Sequence, residues 1–195
     1  MTVEGASATL LGELLLEFEV ELRKQNPSID ELLRPPASSK AVHEAFAQMG
    51  LIPPDEAVVL FGWHDGCIGT GEGESALPAR FLLSLKAVTM LFNSSRLGHG
   101  EWDWNPKWAQ VMGSKYGLAM SCADVPDRSP LVRSVEDSAG TADWQTDYQV
   151  VSLCTPVTWW IDCMRRGWYK YDQSTHSWNR DRTEIPQKIR MYRMS

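Results

Sequence analysis

His64, Asp65 and Cys67 bring an imidazole, a carboxylate and a thiol within four residues. These side chains could form a general base, its orienting acid and a nucleophile, as in a hydrolase. The spacing argues against that use. Neighbouring residues rarely turn their side chains toward one another, and working triads draw their members from distant segments. His99 could contribute from afar, but no motif surrounds it. The expected role of His64, Asp65 and Cys67 is a chain turn with satisfied polar side chains, so no catalytic residue is predicted.

The turn runs directly into GCIGTGEGES, residues 66–75. Its glycine spacing invites comparison with a phosphate-cradling loop. No strand is predicted before it, no Lys follows it, and Glu72 and Glu74 would repel a phosphate. A connector is expected. Cys67, Cys122, Cys154 and Cys163 are scattered without a CxxC pair. That pattern predicts free thiols, with no disulfide framework or zinc site. Neither cofactor nor metal is expected.

Charge and aromatics point to another kind of chemistry. The formal net charge is −6, unevenly distributed. Residues 55–74 carry Asp55, Glu56, Asp65, Glu72 and Glu74 with no Lys or Arg. Residues 134–164 carry Glu136, Asp137, Asp143, Asp147 and Asp162, again with no Lys or Arg. From Arg165 onward the balance reverses, with eight bases against Asp172, Asp181 and Glu184. Acidic faces steer basic protein partners. They disfavour direct nucleic-acid binding, which depends on Lys and Arg neutralising phosphates. Trp102, Trp104 and Trp108 form the densest aromatic cluster. Trp102 lies between Glu101 and Asp103, and a Trp rimmed by charge suits an interface hot spot. Trp144 stands in a polar loop, and Trp159 and Asp162 fall off the apolar stripe of a late helix. Asp65, Glu72, Glu74, Glu101, Trp102, Asp103, Trp144 and Asp162 are therefore the candidate partner-binding residues.

The elements that position these groups can be read from periodicity. Leu11, Leu14, Leu15, Phe18 and Leu22 predict a helix over 7–25. Leu33-Arg34-Pro35-Pro36 predicts an extended connection. Ser38 or Ser39 caps a helix carrying Val42, Ala45, Phe46 and Met49, which Gly50 stops. IPPDEAVVLFGWHDG predicts a helix with Pro54 at its first position, Asp55 and Glu56 at its positive end, and Val58, Val59 and Phe61 facing a core. ARFLLS predicts a short strand, and Ser84 caps a helix carrying Leu85, Val88, Leu91 and Phe92. Strands are expected after WNPKW and in YGLAMSC, LVRSVED and DYQVVSLC. TPVTWWIDCMRRG predicts a helix with Thr155 as N-cap and Pro156 at its first position, burying Val157, Trp160, Ile161 and Met164. WYKYD and HSWNR then form a hairpin. Strands clustered between helices define an α+β protein with a mixed, largely antiparallel sheet flanked by helices. Residues 1–28 are expected as an N-terminal helix packed on one domain spanning 29–195. With no membrane-length apolar run and no basic n-region at the start, a cytoplasmic protein is expected.

The order of three segments resembles the SUKH superfamily, which includes the Smi/Knr-type yeast cell-wall synthesis regulator and many bacterial immunity proteins. IPPDEAVVLFGWHDG is similar to the family's proline-led helix ending in aromatic-x-x-Gly. WNPKWAQVMG is similar to its Trp-Pro-Trp segment feeding a strand, and TPVTWWIDCMRRGWYKYD to its late helix ending in Gly and an aromatic. The resemblance covers roughly residues 29–180 by motif order. It departs at GWHDG, where the family often has Tyr or Asn before the glycine, and at the glycine-rich loop and the long 124–147 segment. It implies a non-enzymatic domain that neutralises a nuclease or deaminase toxin by direct binding; with the acidic balance, the expected partner is a basic toxin domain and the expected state a monomer or weak dimer. The alternatives are a cytosolic regulatory scaffold of the yeast type, or a hydrolase using His64, Asp65 or Cys67.

Overall fold

Ser7 opens the first helix, its Oγ accepting the Leu10 amide at 3.1 Å, a cap that satisfies a donor the helix leaves unpaired. Helix α1 (Ala8–Gln25) then buries Leu11, Leu15, Phe18 and Leu22 to 1% exposure or less. Each such side chain contributes on the order of 1.5–3 kcal/mol by leaving water. The computed structural model describes residues 3–68, 76–78, 81–96, 106–113, 116–122, 130–136 and 149–181.

Asn26 ends α1 and begins the next element: its amide returns to the Leu22 carbonyl, and its Oδ1 accepts the Ser28 amide. The result is α2 (Ile29–Leu32), a single turn anchored by the fully buried Ile29. It was absent from the sequence expectation because four residues are too few to show a period. Helix α3 (Ser39–Gln48) is capped by Ser38, whose Oγ accepts the Ala41 amide at 3.2 Å. The chain leaves it through Gly50 at φ +71°, a left-handed conformation that costs glycine nothing sterically.

Helix α4 (Asp55–Trp63) starts one residue later than expected. Pro54 is the N-cap, and Asp55 is the first helical residue. Ala57, Leu60 and Phe61 are fully buried, and Val58 and Val59 pack half-buried against the same core, as expected.

Strand β1 (Phe81–Leu82) leads to α5 (Leu85–Arg96). Ser84 caps α5 as expected, accepting the Ala87 amide, but Leu91 faces solvent at 41% exposure. The remaining strands of the main sheet are β2 (Trp108–Gly113), β3 (Tyr116–Ser121), β4 (Leu131–Glu136) and β5 (Gln149–Val151). They form one sheet in the order β1-β2-β3-β4-β5, every pair antiparallel. A register shift between Gln110 and Met112 bends β2 against β3.

Helix α6 (Cys154–Arg165) follows, then β6 (Tyr169–Asp172) and β7 (Ser177–Arg180) as the expected hairpin. Leu153, not Thr155, is the N-cap of α6. Thr155 lies inside the first turn, donating its hydroxyl to the Val151 carbonyl. The α+β class is as expected: α1 packs between α4 and α6, α3 bridges α4 and α5, and α5 lies on β2. A single hydrophobic cluster runs from Leu11 and Phe18 through Phe61, Leu82 and Met120 to Trp160 and Tyr169. Among the described residues, no helix is long and apolar enough to cross a membrane.

Candidate functional site

His64, Asp65 and Cys67 lie where α4 meets the extended segment at 33–36, and they face different partners. The segment and the turn are laced together by backbone bonds: Arg34 N–H to Gly66 O, Asp65 N–H to Pro35 O, and Ile68 N–H to Leu32 O. Leu33 and Cys67 form an isolated antiparallel bridge. The His64 Nδ1–H donates to the Arg34 carbonyl at 2.6 Å. Because a carbonyl only accepts, this contact assigns the Nδ1 proton. The Asp65 Oδ1 accepts the Leu85 amide at 2.7 Å, at the start of α5. Burial pushes the Cys67 thiol up to about 11, against smaller lowering effects from the Leu82 backbone and Arg34. At neutral pH that sulfur is a thiol, whereas the nucleophile is the thiolate. Each member of the trio is thus committed to holding the turn.

The other thiols are also buried. Burial raises Cys122 to about 12 and Cys163 to about 11, with Asp162 adding to the latter and Arg166 opposing it. Among the described residues, no group of three or more His, Cys, Asp or Glu side chains could hold a metal ion.

Several acids of the base-free stretches have structural positions. Glu56 is 1% exposed, and its Oε2 accepts the Leu153 amide at 2.7 Å. It ties the first turn of α4 to the N-terminus of α6, where a carboxylate complements the helix dipole. Within the described part of this stretch, residues 55–68, the acids do not share one face: Glu56 points inward, Asp65 caps α5, and Asp55 is exposed. Asp162 accepts the Arg166 Nε on both oxygens at 2.8 Å, one turn along α6. Its charge is partly exposed but paired. Trp159 is buried at 9% exposure. Glu72, Glu74, Glu101, Trp102, Asp103 and Trp144 lie outside the described residues.

Sequence reasoning missed a polar network linking the N-terminal helices to the α4 turn. Glu19, 8% exposed, accepts the Trp63 indole N–H on Oε2 at 2.7 Å. The same oxygen lies 3.9 Å from His64 Nε2. The Glu19 Oε1 accepts from Arg23, which also bridges to Asp30 on α2. The ring of Trp63 stands edge-on to His64, with centroids 4.7 Å apart. A parallel pairing fixes the other side of α1: Glu21 accepts from Lys24 and Arg165, and Arg165 also reaches Glu17. The Glu19–Arg23 spacing was a visible signal for an i, i+4 pair. The bond to Trp63 spans 44 residues and left no local trace.

No protein-family model matches this chain, and no curated protein matches it.

Proposed function

We propose that this protein is a non-enzymatic binding domain of the SUKH type that neutralises a toxin by covering it, the toxin being a basic nuclease or deaminase domain. The observation that carries the reading is the order of the three family-like segments on the fold. The IPPDEAVVLFGWHDG segment forms α4 and its turn, WAQVMG forms β2, and TPVTWWIDCMRRGWYKYD forms α6 and β6. The α+β class supports the same reading. So do the separate structural commitments of His64, Asp65 and Cys67, which leave no nucleophile paired with a base among them.

The net charge of −6 suits an electropositive partner and would speed its encounter. The binding surface is expected to include Asp55 and the acidic and aromatic positions Glu72, Glu74, Glu101, Trp102, Asp103 and Trp144. The test is growth rescue: the protein is co-expressed with the toxin encoded beside its own gene. Full rescue by the wild type, weakened when Trp102 and Asp103 are both changed to Ala, is the expected result. Growth arrest with the wild type present would overturn the reading.

A further inference from the structure

We draw no further inference here: the strongest candidate, the exposed apolar pair of Leu131 and Val151 that lies across β4 and β5 at the end of the main sheet, carries nothing because nothing in the structure shows what covers it.

Discussion

Glu19 holds three elements at once, accepting from Trp63 on α4 and from Arg23 on its own helix, which in turn bridges to Asp30 on α2. Removing a buried acceptor costs more than the bond itself, because the abandoned donor loses water as well. Glu19→Ala should destabilise the protein by about 1–3 kcal/mol in urea unfolding, the cost of a buried donor left unsatisfied. Glu19→Gln keeps an oxygen for the indole N–H and should lose less; equal losses would show that the charge and not the acceptor matters. At Glu21, burial alone would raise the carboxyl, but hydrogen bonds and charge from Lys24 and Arg165 outweigh it and hold the group below its ordinary 4.5. Its contribution is complete above the unfolded value and disappears as pH falls through the lower folded value. The stability difference between wild type and Glu21→Gln should therefore narrow as pH is taken down from 4.5. A difference unchanged across that window would remove the ion pairs from the account. Neither residue's long-range partner was legible in sequence: Trp63 is 44 positions from Glu19 and Arg165 is 144 from Glu21.

Among the elements, the turn after α4 leaves no room for a side chain. Gly66 has φ +89°, and a Cβ there would meet the Ser84 amide nitrogen at 2.6 Å. Two faults coincide, a left-handed backbone and a backbone neighbour that cannot rotate away. Gly66→Ala should lower stability by roughly 1–3 kcal/mol, the range of backbone strain at such a position. Gly62, inside α4 with nothing within 4 Å of its missing Cβ, makes the contrasting test. Gly62→Ala should raise stability by about 0.5–1 kcal/mol, through helix propensity alone. Thermal unfolding of the two variants separates these effects, and shifts of the same sign would contradict the description of the turn. Where capping or periodicity was local, as at Ser7, Ser38 and Ser84, the elements were legible before the fold was known. The α6 cap was misplaced because the residues holding it, Glu56 and Ser152, act through tertiary contact and a positive-φ corner rather than through a Ser or Thr at the cap.

At the scale of the whole molecule, linear charge and folded charge differ. Two base-free acidic stretches suggested two faces, yet Glu56 is enclosed in the core and Asp162 is paired. The α+β class survived this because it follows from strands clustered between helices, a pattern independent of which acids face outward. The proposed binding function requires a surface that engages a basic protein directly, with no turnover. Isothermal titration of the purified protein into the toxin domain encoded beside its gene, with the toxin's activity followed in the same samples, tests that most directly. The expected result is a stoichiometric complex in which toxin activity falls in proportion to protein added and stops at equivalence. Heatless mixing with undiminished toxin activity, or catalytic loss of activity at far below one equivalent, would contradict it.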